Sequence, residues 1–331
     1  MFAPALAGAA SSTPSYLNHP EVRAFIDEMV AKYDFNSMEL ANLFAQAKRE
    51  DSILRAMSRP AEAKPWYQYR PIFLTDTRIQ GGVEFWDHNA ELLRHAQEVY
   101  GVPPEIVTAI IGVETRYGGN TGSYRVLDAL TTLAFDYPKR AAFFRSELQH
   151  FLLLTREESI DPLSVKGSYA GAMGQGQFIS SSYRRYAVDF DGDSTRNLWD
   201  STADAIGSVA NYFHVHGWRP GEPVAVPASV SGDKFRALLE LDLKPTRSIR
   251  RLEGYGVQAT QPVNEDQLAS LIDLEQADGH EYWLGLENFY VITRYNHSPL
   301  YAMAVYQLSQ EIKAARNREV RSTARPEGFD W

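Results

Sequence analysis

Residues 103–119, PPEIVTAIIGVETRYGG, decide how the rest of the chain is read. Pro103 and Pro104 suit the first turn of a helix, where a missing N–H leaves no bond unmade. Gly118 and Gly119 predict its end, because glycine readily takes the left-handed conformation that closes helices. Between them Val107, Ile111 and Glu114 recur at i, i+4 and i+7, one stripe of a 3.6-residue period, with Ile110 beside it. A lone carboxylate therefore stands on an apolar face near the end of its helix. Burial there disfavours the charged form and raises the pKa, the property a general acid needs near neutral pH. A core glutamate paired with Arg116 fits the same pattern, and the helix alone does not separate the two.

Outward from this helix, amphipathic periodicity predicts further helices on both sides. VRAFIDEMVAKY places Val22, Phe25, Ile26 and Met29 on one face, and MELANLFAQAKREDSILRAM follows the cap-type pair Asn36–Ser37. Residues 84–100, 126–135, 139–155 and 204–218 continue the pattern, as do WLGLENFYVITRYN and LYAMAVYQLSQEIKAARN near the end. Residues 58–82 carry Pro60, Pro65 and Pro71 and predict a segment wrapping the surface. From Trp218 to about Gly279 short β-branched pieces and prolines replace the helical pattern, which predicts a small β-rich insert. The charged residues after Asn317 are expected to fray.

Composition narrows the function. With 44% hydrophobic residues the 331-residue chain can bury a substantial core, and its formal charge of −9 argues against nucleic acid or an anionic membrane as partner. It has no cysteine, which excludes disulfides, thiolate nucleophiles, Cys-based zinc sites and a lipid anchor on an N-terminal cysteine. No apolar run approaches the roughly 20 residues a spanning helix needs. The opening MFAPALAGAASSTPS reads as the back half of a signal peptide, with Ala7-Gly8-Ala9 as its cleavage site, although the basic region that usually precedes it is absent. A soluble, exported, periplasmic protein is the expectation.

Three groups of residues offer chemistry. The first is Glu114 within ETRYG. The second is GSYAGAMGQGQF at 167–178, where four glycines bring the backbone close to something and Ser168, Gln175 and Gln177 supply hydrogen bonds. The third is Arg294-Tyr295-Asn296, followed by Tyr301. Amides and hydroxyls beside aromatic rings are how a cleft holds a sugar, though each such residue taken singly is more often a cap or a packing anchor.

In order, ETRYGG, SYAGAMGQGQF, AIGSVANYF and the late Tyr295-Asn296 pair resemble the lytic murein transglycosylases of the B type, over roughly Val22 to Ala315. The resemblance implies a mainly α fold: a lysozyme-like α-helical core with an additional helical domain and a small inserted β-rich domain. The expected division is a leader over 1–15, a helical domain from 16–90 with 125–160, a core from 91–124 with 161–218 and 280–316, the insert at 219–279 and a tail at 317–331. It also implies cleavage of the β-1,4 bond between N-acetylmuramic acid and N-acetylglucosamine in peptidoglycan without water, leaving 1,6-anhydromuramoyl ends. Glu114 would serve as acid and then base, with the substrate's N-acetyl oxygen as nucleophile. Ser168, Gln177, Tyr212, Tyr295, Asn296 and Tyr301 would line the cleft; Tyr117 belongs to the same set, with packing beneath the site as its alternative role. A cell-wall synthase partner and the oligomeric state are left open.

Residues 189–200, DFDGDSTRNLWD, place acids at loop positions 1, 3 and 5, a spacing that suits calcium. Position 6 is Ser194 where the EF-hand has glycine. By the resemblance, Asp189, Asp191, Asp193, the Thr195 carbonyl and Asp204 would hold a structural Ca2+, with none needed for catalysis; an acidic capping loop without an ion is the alternative. Two rival functions follow from the same residues. One is a hydrolytic muramidase using Asp161 or Asp200 to activate water; the other is a calcium-dependent peptidoglycan-binding module without catalysis. His214 and His216 lack a third metal ligand, and Ser180–Ser182 lack the context of a serine hydrolase.

Overall fold

The computed structural model describes residues 15–58 and 64–323; the expected leader and the last part of the tail lie outside the described residues. Helices dominate, and the backbone falls into two compact units. The first holds the described residues up to 58 with 122–173 and 178–184; the second holds 64–121, 174–177 and 185–323. Residues 64–90, expected with the helical domain, cluster with the second unit.

In the first unit the helices Pro20–Tyr33, Ser37–Ala45, Asp51–Met57, Val126–Asp136 and Ala141–Glu157 carry the core. Val22, Phe25, Ile26 and Met29 are all buried, as the periodicity requires, and Phe25 meets Phe44 and Phe135 edge-on at 5.9 and 6.0 Å. Asn36 caps its helix, its Oδ1 accepting from the Met38 and Glu39 amides at 2.8 and 3.2 Å. The single helix expected over 38–57 is broken. Between the two pieces, the Lys48 amide donates to Asp128 at 2.8 Å and the Glu50 amide to Thr132 at 3.0 Å. Side chains of the Val126–Asp136 helix thus take over hydrogen bonds that the helix would have made.

The second unit is built around Pro104–Thr115, in which every residue except Glu114 is buried. A helix buried on nearly all sides belongs in the middle of a core. The helices Asp76–His88 and Pro299–Thr323 pack directly along it, and Ala90–Tyr100 and Thr202–Val215 also touch it. The segment read as a surface wrap is instead helical: Trp66–Phe73 starts at Pro65, and Asp76–His88 follows. Pro71 lies inside the first of these, and the residue whose carbonyl loses a partner, Tyr67, is exposed, so water can replace the bond. The final helix runs through Asn317 to Thr323 rather than fraying at 317.

The β-rich insert is an antiparallel five-stranded sheet in the order Arg247–Ser248, Leu268–Gln276, Gly279–Gly285, Ala225–Val230, Val257–Ala259. It extends past the expected boundary at 279, because Trp283–Gly285, read as the start of a helix, form the end of a strand. Leu271, Leu284, Val226, Val257 and Leu252 form its own small core. Among the described residues no helix is long and apolar enough to cross a membrane.

Candidate active site

The helix carrying Glu114 stops earlier than its glycines suggested. Arg116 takes the left-handed conformation at the C-cap (φ 54°), Tyr117 repeats it (φ 61°), and only then comes Gly118. Left-handed backbone at two residues with side chains costs on the order of 1–3 kcal/mol each, and such strain persists only where the surroundings impose it. The surroundings here are specific. Thr115 Oγ lies 2.8 Å from the Gln175 carbonyl and accepts from the Gly118 amide at 3.0 Å. Tyr117 turns away from Glu114: its hydroxyl donates to the Arg78 carbonyl at 2.6 Å and its ring lies 5.6 Å from that of Phe85. A Cβ on Gly112 would come within 2.6 Å of the Tyr117 ring, so glycine is required for this close packing. The Tyr117 hydroxyl is thus engaged by the Arg78 backbone, and Thr115, which sequence reading passed over, ties the end of the helix to the glycine loop.

Glu114 pairs with no arginine among the described residues; Arg116 is exposed and its backbone closes the helix. The partner is Tyr301, whose hydroxyl donates to Glu114 Oε1 at 2.5 Å. Burial pushes the Glu114 carboxyl up to about 7, against a smaller downward pull from the Tyr301 hydrogen bond. Tyr301 itself is held well above the ordinary tyrosine range by burial and by the adjacent carboxyl, so it remains a hydrogen-bond donor. A second carboxylate on the same helix, Glu105, is less exposed as a residue than Glu114 but is paired with Lys313 at 2.7 Å. Burial alone does not single out Glu114; the absence of a cationic partner does.

The other aromatic residues form a connected wall in the same unit. Tyr295 donates to the Gly176 carbonyl at 2.5 Å, and its ring meets Tyr212 edge-on at 4.8 Å. Tyr212 donates to the Arg294 carbonyl at 2.6 Å and stacks on His216 at 4.0 Å, which places that histidine in packing. Burial raises the pKa of Tyr212 and of Tyr295. Asn296 is exposed at the end of the helix Glu287–Tyr295. Gln177, itself left-handed (φ 51°), donates from its amide to the Thr121 and Gly174 carbonyls at 3.0 Å each. The glycine loop approaches other parts of the protein closely. Gly174, at φ 72°, leaves no room for a Cβ, which would fall 2.5 Å from the Leu198 carbonyl oxygen.

Ser168 belongs to the first unit. Its hydroxyl oxygen accepts from the Ala170 and Ala172 amides at 3.3 and 3.0 Å, closing the turn it starts. Asp161 accepts from the Leu163 amide in an exposed turn, and Asp200 is exposed beside Asn197.

In the acidic loop, oxygens of Asp189, Asp191 and Asp204 lie within 4.8 Å of one another. Asp204 is fully buried and accepts from the Phe190 and Asn197 amides at 2.7 Å each, while burial and its two acidic neighbours raise its pKa. Ser194 takes the positive φ (75°) that glycine supplies in an EF-hand. Asp193 stands apart from the three and accepts from the backbone and hydroxyl of Thr195 at 2.8 and 2.7 Å. Three converging carboxylates are a hard-oxygen donor set that fits calcium.

Residues 18–310 match the family described as the Transglycosylase SLT domain. The chain is 50% identical to membrane-bound lytic murein transglycosylase B of Escherichia coli (strain K12) over 311 residues, 91% of this chain and 85% of that one. The X-ray structure of catenated lytic transglycosylase SltB1 from Pseudomonas aeruginosa shares 53% identity at a TM-score of 0.87, over 91% of this chain and 99% of that one. The Escherichia coli lytic transglycosylase Slt35, in a structure in complex with calcium, shares 50% identity at a TM-score of 0.84, over 91% of this chain and 95% of that one.

Proposed function

This chain belongs to the lytic murein transglycosylases of the B type, enzymes that cleave peptidoglycan on a lysozyme-like fold, and from that premise we propose how its own residues carry out the cleavage. Glu114, protonated in the resting enzyme, gives its proton to the glycosidic oxygen between N-acetylmuramic acid and N-acetylglucosamine as the bond from that oxygen to the anomeric carbon breaks. The N-acetyl carbonyl oxygen of the muramic acid closes on the anomeric carbon. The Glu114 carboxylate then removes the proton of the C6 hydroxyl, and that oxygen displaces the N-acetyl oxygen to form the 1,6-anhydro ring. Glu114 ends protonated, ready for the next cycle, and no water is consumed.

The observation that supports this reading is the pairing of a carboxyl raised to about 7 with a tyrosine donor at 2.5 Å and with no cation. By occupying Oε1, the Tyr301 hydroxyl leaves the proton on Oε2, free to be given away, and it stabilises the carboxylate once the proton has left. Two-carboxylate glycosidases divide these roles between residues; here one carboxylate takes both in turn. Tyr212, Tyr295, Asn296 and Gln177, in the same unit as Glu114, would hold the sugar rings. Ser168 is assigned as a sugar contact by its motif. A structural Ca2+ would be held by Asp189, Asp191 and Asp204, with Thr195 supplying a carbonyl. Asp193 would join them through Oδ2, since both of its hydrogen bonds from Thr195 go to Oδ1. When bound, the ion would neutralise the loop ahead of the Thr202–Val215 helix and take no part in bond breaking. Action in the periplasm, where peptidoglycan lies, follows from the substrate.

Digestion of purified peptidoglycan followed by mass spectrometry tests the route. Products one water lighter than reducing ends are expected. Reducing ends alone would overturn the proposal in favour of hydrolysis.

A further inference from the structure

A second concavity lies in the same unit as Glu114, where the helix Trp66–Phe73 packs against the strand Leu268–Gln276 and against the helix Pro299–Thr323. Its volume of about 460 Å³ falls in the range of small-ligand pockets. Trp283 and Tyr306 line it, edge to face at 6.1 Å and each only partly buried. Partly exposed large rings side by side do not complete a core; they offer apolar faces to something outside it.

The polar groups of the wall are held in place by one another. Glu281 accepts from the Trp283 indole at 2.7 Å and from the Gln276 amide at 2.8 Å, which fixes both its oxygens and the tilt of the Trp283 ring. Gln307 accepts from Arg70 at 2.8 Å through its carbonyl oxygen, leaving its amide nitrogen for an incoming group. The indole N–H of Trp66, a buried residue of the same wall, has no hydrogen-bond partner among the described residues. That atom is closed off from solvent, so the partly exposed rings of Trp283 and Tyr306, not this donor, are what the concavity offers an incoming group.

We infer that this concavity is a second saccharide site, which holds β-1,4-linked N-acetylhexosamine rings of the glycan strand at a distance from the bond being cut. Aromatic faces receive the C–H faces of the sugar, and the amides and carboxylates receive its hydroxyl and N-acetyl groups. The chemistry selects a neutral stretch of glycan over an anionic ligand. Two carboxylates, Glu281 and Glu311, line the wall against one guanidinium, Arg70, which is already engaged by Gln307. The site also gives the β-rich insert a task, since Gln276, Glu281 and Trp283 all come from its hairpin. Five residues along the helix put Tyr306 about 8 Å further along the axis than Tyr301 and about 140° around it, on another face, and a polymer has additional rings to place beyond the one being cleaved.

The inference rests on peptidoglycan being the substrate, and its test separates binding from cleavage. The full-length protein carrying Glu114→Gln is measured for binding to purified peptidoglycan sacculi and to the tetramer of β-1,4-linked N-acetylglucosamine. Adding Trp283→Ala is expected to weaken sacculus binding about tenfold, and the pair Gln307→Ala with Gln310→Ala, a half-buried and an exposed residue of the same wall, severalfold. In the Glu114-intact protein the glutamine pair should leave cleavage of short soluble muropeptides at its normal rate. The glutamine pair guards against misfolding of the Trp283 variant. Unchanged sacculus binding by that pair, together with unchanged hydrogen exchange at 276–283 on adding the tetramer, would overturn the second site. Continued cleavage by Glu114→Gln would instead overturn the catalytic proposal and leave the binding result standing.

Discussion

Glu114 and the Asp189–Asp204 loop put the same functional group to opposite uses. Glu114 has lost water and gained a single neutral donor, Tyr301, so its proton stays until pH reaches about 7. The loop carboxylates are crowded by backbone amides: Asp189 accepts from Gly192 and Ser194 at 2.7 and 2.9 Å, and Asp204 from two more. Backbone donors favour the charged form, and three charges gathered within a few ångströms of one another call for a cation. What distinguishes a proton store from an ion cradle is therefore whether other carboxylates converge on the same point, since burial raises both Glu114 and Asp204. Asp204 is as buried as any residue in the chain and still belongs to the second kind.

The largest effect that would break this comparison is on turnover. Glu114→Gln should lower peptidoglycan cleavage by about 10³-fold, within the range for loss of a general acid. The same variant sharpens the comparison through stability. A carboxyl raised from 4.5 to about 7 stabilises the fold relative to its ionised form below pH 4.5, and that contribution is lost as pH rises through about 7. The wild type should therefore lose about 3 kcal/mol relative to the variant across that window, read as diverging melting temperatures between pH 4.5 and 8.5. Parallel melting curves would mean that the carboxyl is not buried as described.

The loop should respond to metal instead of pH. At calcium a hundredfold above its dissociation constant, binding stabilises by about 2.7 kcal/mol, so a chelator should lower the melting temperature by several degrees. Intrinsic turnover should change far less. Asp204→Asn should remove the calcium response while leaving a folded protein; a melting temperature indifferent to chelator in the parent would assign the loop to capping alone. The smallest expected change is at Tyr301. Tyr301→Phe deletes the one interaction that lowers the Glu114 pKa, so the alkaline limb of the pH–rate profile should move upward. Turnover should also fall by roughly tenfold as the carboxylate loses about 1.4 kcal/mol of support.

Much of this contrast was legible in the residues. Asn36 announced its helix by side-chain chemistry, the apolar spacing of Val22, Phe25, Ile26 and Met29 gave the buried face, and Glu114 stood out as a carboxylate in an apolar run. The failures share a cause: local rules were overruled by partners distant in sequence. Residues 46–50 leave the helix because Asp128 and Thr132 offer their amides other acceptors. Arg116 and Tyr117 adopt glycine-like backbone because Thr115 anchors the turn to Gln175. Gly279–Gly285 lacks the strict alternation of a half-buried strand, with burial growing steadily towards its end, so its last residues read as helix.

The proton on Glu114 is the centre of the account, and a carbon-13 NMR titration of the glutamate side-chain carboxyls, with Glu114→Gln supplying the assignment, measures it directly. A Glu114 resonance titrating with a midpoint near 7 is the expected result. A midpoint near 4.5 would contradict the account, because the residue would then reach the substrate already ionised and with no proton to give.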